Sequence, residues 1–142
     1  MPIYASDTQL YACFQSLFAA IEANHPKAAD ALLKAGMSIR FDCSAPTASI
    51  TINAKQAPVQ LTYGNSASKP AIEVSLTSDT LHCLLLGEIR LSKAIGSNQV
   101  GLKGPVWKTL TLADLFHSAQ HYYPDILKDH GLPARCPNAK QA

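Results

Sequence analysis

His117 and His121 stand four residues apart, with Asp114 about one turn before them and Asp125 one turn after. On a helix such a pair of imidazoles shares one face and could hold a divalent metal. The same helix carries Leu112, Leu115, Phe116 and Ala119 on the opposite side, so the histidines point to solvent. A solvated face with local charge pairs is the expectation there, and no metal site is assigned. Residues 96–103, GSNQVGLK, look like a phosphate-binding loop with the lysine displaced. The G-K-[ST] step is missing, and the run ends a helix and opens a strand, the reverse of the order such a loop needs. No G-x-S-x-G elbow occurs. His82 and Cys83 are neighbours on a leucine-rich stretch, and adjacent residues of a helix do not face each other. Cys83 is therefore read as a small buried filler rather than a nucleophile. No two carboxylates share an apolar setting. We expect no catalytic residue and no cofactor. Trp107 either packs at the core edge or marks a half-wet mouth or interface, which suits its amphipathic ring. Lys93, Lys103 and Lys108 could meet a carboxylate or phosphate, but three lysines in such a window are ordinary.

The elements that would position these groups alternate in period. Asp7 can cap a helix whose stripe is Leu10, Phe14, Leu17, Phe18 and Ile21. Pro26 starts a shorter helix that Gly36 stops. The period then drops to two. Met37, Ile39, Phe41 and Cys43 form one strand, Ala48, Ile50, Ile52 and Ala54 a second, and Val59, Leu61 and Tyr63 a third. Their short links favour antiparallel hairpins, and their polar faces imply a sheet covered on one side only. Residues 64–70 make a longer, polar connection suited to a crossover to a non-adjacent strand. Ile72, Val74 and Leu76 form the fourth strand. Asp79 or Ser78 caps a helix with Leu81, Leu84, Leu85 and Ile89 inside. Gly87 interrupts it, and Leu91, Ala94 and Ile95 continue an apolar face. Val100 and Leu102 form a fifth strand, closed by Gly104. Thr111 caps a last long helix with Leu112, Leu115, Phe116, Ala119 and Tyr122 or Tyr123 inside, and Pro124 restarts it. Two units follow: a domain over residues 1–132 and a polar, mobile tail over 133–142.

Bulk properties narrow the function classes. One domain fits 142 residues. A net charge of +2 with scattered Lys and Arg excludes a nucleic-acid footprint. Charged residues are only 15%, which hints at an extensive apolar interior or at apolar surface kept for a ligand or partner. No apolar run is long enough to span a bilayer, and residues 1–7 lack the basic start of a secretory signal. The four cysteines, Cys13, Cys43, Cys83 and Cys136, are widely spaced, so reduced thiols in a cytoplasm are expected.

The run S-D-T-L-x-x-L-L-L-G from Ser78 to Gly87, then Ala94, then Val100-Gly101-Leu102-Lys103-Gly104, resembles the lipid-binding domain of the sterol carrier protein type 2 family. The resemblance extends from about Leu10 to Tyr123. It implies an α+β fold in which a five-stranded sheet is covered on one face by helices, with an apolar tunnel between. It also implies a ligand that is a fatty acid, acyl-CoA, sterol or other lipid, and some relatives assist quinone biosynthesis. The chain ends Lys140-Gln141-Ala142 rather than S-K-L, so a peroxisomal role does not carry over.

The expectation is a non-catalytic lipid-binding protein. Its apolar cavity candidates are Phe14, Leu17 and Phe18 from the first helix, and Ile50, Leu61, Ile72, Val74, Val100 and Leu102 from the sheet region. Leu81, Leu84, Leu85, Ile89, Leu91 and Ile95 come from the middle helices, and Trp107, Leu112, Leu115 and Phe116 from the last part. The partner is a lipid or other hydrophobic small molecule, with transient membrane contact, a protein partner or a homodimer compatible. Two alternatives stand beside it. One is an accessory scaffold that binds partner enzymes, for example in quinone biosynthesis, with its cavity collapsed. The other is a small enzyme with a cone-shaped pocket, like a nuclear transport factor 2-like isomerase, which would need a buried acid or base and a run of strands at its end.

Overall fold

The computed structural model describes residues 3–4, 6–24, 26–36, 38–45, 47–56, 59–64, 70–104 and 109–136. Helix α1 (Asp7–Asn24) buries Leu10, Cys13, Phe14, Leu17, Phe18 and Ile21 along one stripe. Its cap lies one residue before the expected Asp7. The Ser6 hydroxyl accepts from the Gln9 N–H at 3.3 Å, while Asp7 accepts from the Thr8 N–H at 2.7 Å. Both occupy amide donors that the first turn leaves without helical partners. Helix α2 (Pro26–Ala35) follows and buries Leu32.

The sheet holds β1 (Ser38–Ser44), β2 (Ala48–Asn53), β3 (Gln60–Tyr63), β4 (Ile72–Thr77) and β5 (Gly101–Lys103), in the order β3-β2-β1-β4-β5. The first three strands form the expected antiparallel pairs. The crossover carries β4 to the far side of β1, where the two run parallel, with Phe41 opposite Val74. β5 closes the edge antiparallel to β4. Val100 lies before β5 rather than in it, because its N–H donates to Ala94 O at 3.2 Å and not to the ladder.

Alternation separates the two faces. Ile39, Phe41, Ile50, Ile52, Ile72 and Val74 are all 0% exposed and lie under the helices. On the other face Arg40 pairs with Asp42 at 3.2 Å and with Glu73 across the ladder. Tyr11 fastens α1 to the sheet: its hydroxyl accepts from the Ser49 N–H at 3.0 Å, and its ring lies 4.9 Å from that of Tyr63.

After β4 come α3 (Ser78–Leu86), α4 (Leu91–Gly96), α5 (Thr109–Ala119) and α6 (Tyr123–Asp129). Thr77, rather than Ser78 or Asp79, caps α3, accepting from the Thr80 N–H at 3.0 Å. Asp79 instead accepts from the Ile3 N–H at 2.9 Å and ties down the N-terminal segment. Gly87 ends α3 at φ +79°, a left-handed conformation in which its N–H returns to the last turn. Ile89, expected inside a continuing helix, therefore sits in the turn between α3 and α4, half-buried.

Among the described residues no helix is long and apolar enough to cross a membrane. Four reduced thiols were expected; two of the cysteines are instead joined. Cys83 and Cys136 form a disulfide with Cα atoms 5.0 Å apart. Sequence spacing could not reveal it, because the partners are 53 residues apart and meet only when the segment after α6 folds back onto α3.

Candidate functional site

Helices α1, α3 and α5 meet above the sheet without closing completely. Phe14, Leu17, Phe18 and Ile21 of α1, Leu85 of α3, and Leu115, Phe116 and Ala119 of α5 line a seam between them. Each lining side chain is apolar. The helical repeat explains the set: on α1 these four residues fall on one stripe, and on α5 Leu115, Phe116 and Ala119 do the same. Phe41 of the sheet floors the region, its ring 6.0 Å from both Phe14 and Phe116. The space left is about 10 Å³, roughly one water's worth. With no polar group on its walls, such a space stays dry.

Of the cavity candidates, Phe14, Leu17, Phe18, Leu85, Leu115 and Phe116 line the seam. Ile50, Ile72, Val74, Leu81, Leu84, Leu91 and Val100 are buried in the surrounding core. Leu61, Ile89, Ile95 and Leu102 are half-buried and pack against it. Trp107, Lys108 and the side chain of Leu112 lie outside the described part of the structure. Ile21 and Ala119 complete the lining; their place on the two apolar stripes was the signal that could have added them.

A polar cluster lies within the apolar interior, and residue types alone did not disclose it. Tyr4, His82 and Tyr123 are each no more than 1% exposed. His82 Nε2 lies 2.9 Å from the Arg135 carbonyl, which can only accept, so Nε2 carries the proton. Nδ1 is then the acceptor for the Tyr123 hydroxyl at 2.7 Å, and Tyr123 in turn accepts from the Tyr4 hydroxyl. The relay runs from the N-terminal segment through α6 and α3 to the C-terminal segment, with each member satisfied. Burial holds the His82 pKa below its ordinary value, against the raising effects of the Arg135 carbonyl and Asp79. Burial likewise raises both tyrosines, so all three stay neutral near pH 7.

That shift has a sign that can be tested. The unfolded chain takes up a proton at His82 near pH 6.5, whereas the folded chain resists it until lower pH. The relay's contribution is therefore complete above about pH 6.5 and declines as pH falls through the window below it. The stability gap between wild type and His82→Gln, read from urea unfolding, is expected to narrow between pH 7 and pH 5. A gap that stays constant would mean that His82 has an unshifted pKa.

The other reactive groups are inert by position. Burial pushes the Cys13 thiol up to about 11 and the Cys43 thiol up to about 12, so neither is a thiolate nucleophile near neutrality. His117 and His121 are exposed, with ring centroids 5.9 Å apart. Among the described residues no group of three or more His, Cys, Asp or Glu side chains could hold a metal.

No curated protein sequence matches the chain. Solved structures share its fold. The sterol carrier protein domain 2 of Helicoverpa armigera superposes with a TM-score of 0.67 at 20% identity, covering 83% of this chain and 93% of that one. Sterol carrier protein 2 from Yarrowia lipolytica, in its apo form, gives 0.63 at 18% identity, covering 82% and 95%. A UbiJ-SCP2 ubiquinone synthesis protein gives 0.61 at 20% identity, covering 78% and 95%. At these identities the structures establish a common fold. The sequence profile of the SCP-2 sterol transfer family matches residues 16–117, which takes in every residue of the seam but Phe14 and Ala119. With the profile covering well over half its length, the chain belongs to the SCP-2 sterol transfer family.

Proposed function

We propose that the protein is a non-catalytic carrier that takes a fatty acyl, sterol or isoprenoid ligand, quinones included, into the seam between α1, α3 and α5. The observation that carries this reading is an all-apolar seam at the meeting of three helices, on a fold whose family is one of sterol transfer. The small volume fits a carrier without its cargo. A pocket for such a ligand needs roughly 300 Å³ or more. Left empty, about 400 Å³ would cost about 10 kcal/mol at ~24 cal/mol per Å³, which is comparable to the whole stability of a domain. The helices therefore close when nothing separates them. A ligand reopens them by burying its chain at about 0.8 kcal/mol per methylene, so a dozen methylenes supply about 10 kcal/mol. Binding is then an equilibrium between helix–helix and helix–lipid contact, with no bond made or broken.

The location that goes with this reading is the cytoplasm, and the domain over residues 1–132 holds residues 133–136, expected to be part of a mobile tail, against α3. Purified protein extracted with organic solvent is expected to release a lipid detectable by mass spectrometry. No extractable lipid, together with no displacement of a fluorescent fatty acid, would count against the carrier reading. The near-filled seam also favours a second reading, in which the domain is a scaffold for partner enzymes and holds no stable lipid. Capture of isoprenoid or quinone enzymes by a protein that binds no acyl probe is the result that would select it.

A further inference from the structure

The Cys83–Cys136 disulfide holds a strap whose other tie is weak. After α6, Leu132 still packs on the core, its N–H donating to Leu127 O at 2.8 Å. Pro133, Ala134 and Arg135 are exposed, and Cys136 is half-buried. The Cys136 sulfur fastens this segment to α3, and so does the His82 ring, whose Nε2 donates to the Arg135 carbonyl and which also meets the Pro133 backbone. His82 has no exposure although its Nε2 partner belongs to an exposed residue. The strap thus supplies both the acceptor and the cover on that side of the ring. The two cysteines differ in exposure, Cys83 being only 3% exposed and Cys136 half-buried.

We propose that Cys83–Cys136 is a thiol–disulfide exchange site whose state decides whether residues 133–136 stay docked on α3 over His82. A small-molecule thiolate attacks the sulfur of Cys136, the more exposed of the two residues. A mixed disulfide forms, the bond to Cys83 breaks, and Cys83 leaves as a thiolate that takes a proton from solvent. A second thiolate attacks the small molecule's own sulfur in the mixed disulfide and releases Cys136, which is protonated in turn. One protein disulfide becomes two thiols while two small-molecule thiols become one disulfide, and the reverse reaction restores the strap. Once the bond opens, the His82 ring's hydrogen bonds to the Arg135 and Pro133 backbone do not repay the chain entropy of ordering four residues, so the strap leaves. His82 Nε2 then turns to water. In the cytoplasm, the location taken from the proposed function, a disulfide is typically transient and redox-sensing, which suits such a site. The proposal does not depend on lipid binding.

The test uses the full chain in reduced glutathione without denaturant, with alkylation and mass spectrometry to count thiols and NMR to follow the His82 ring. Two additional thiols are expected per folded chain. Solvent exchange of the His82 Nε2 proton is expected to accelerate at least tenfold, with the sheet amides unchanged. Cys136→Ser is expected to show the fast exchange without reductant, and Cys83→Ser provides a second version of the open state. Reduction that occurs only in denaturant would overturn the proposal. So would a His82 signal that is the same in the oxidised protein, the reduced protein and both variants.

Discussion

Gly104→Ala is expected to lower the unfolding free energy by about 3 kcal/mol or more, among the largest effects of any single methyl group in this chain. Gly104 lies just after β5 at φ +138°, a conformation open essentially to glycine alone. A Cβ there would fall 2.6 Å from the Ala71 carbonyl oxygen and 3.2 Å from Ile72 Cα. Both are backbone atoms. They can retreat only by spoiling the β4–β5 ladder, in which Glu73 faces Lys103 next door. Gly87→Ala is the informative contrast. It too has a positive φ, and its Cβ would fall 2.6 Å from a side-chain atom of Gln120. That atom is the end of a flexible chain that can swing aside, so the loss is mainly the left-handed backbone cost of about 1–2 kcal/mol. Urea unfolding of both variants measures the difference. Equal losses would mean that the close approach of Gly104 to β4 is not a real constraint.

Tyr123→Phe is expected to cost about 3 kcal/mol, several times the cost of Tyr4→Phe. The two substitutions remove the same hydroxyl from different places in one chain of hydrogen bonds. Tyr123 is the middle link, so its loss strands the Tyr4 hydroxyl and His82 Nδ1 together in the interior. Each stranded buried group costs about 1–3 kcal/mol. Tyr4 is the end link. Without it Tyr123 still donates to His82 and loses only an incoming bond, worth about 1 kcal/mol. Thermal or urea unfolding of the two variants and their double mutant would give the interaction energy directly. If Tyr4→Phe proved as damaging as Tyr123→Phe, the donor order from Tyr4 through Tyr123 to His82 would be wrong.

Much of the frame was legible because it rests on periodicity. Alternation at Ile39, Phe41, Ile50, Ile52, Ile72 and Val74 placed the strands and their buried face, and the stripe from Leu10 to Ile21 placed α1. The motif from Ser78 to Gly104 added the family. Boundaries shifted where the expected cap took another donor: Asp7 accepts from the Thr8 N–H and Asp79 from the Ile3 N–H, which leaves Ser6 and Thr77 to cap α1 and α3. What the sequence could not disclose was contact between distant segments. Cys83 and Cys136 carry no local spacing that announces a bond. Tyr4, His82 and Tyr123 are 41 residues or more apart along each observed link, and each alone reads as an ordinary residue on a helix or near a terminus. Within the seam, periodicity selected the right helix faces. It could not tell Leu85, which borders the space, from Leu81 and Leu84, which are packed into the core beside it.

The most direct test of the carrier reading is titration of wild type and Ala119→Leu with a fluorescent fatty acid, with each protein's fold checked by circular dichroism and its melting temperature. Ala119 is 1% exposed on the α5 wall of the seam, and a leucine there occupies space the ligand's chain would need. Wild type is expected to bind the probe and Ala119→Leu to bind at least tenfold more weakly while remaining folded. Equal binding by the two folded proteins, or none by wild type, would contradict a ligand held between α1, α3 and α5.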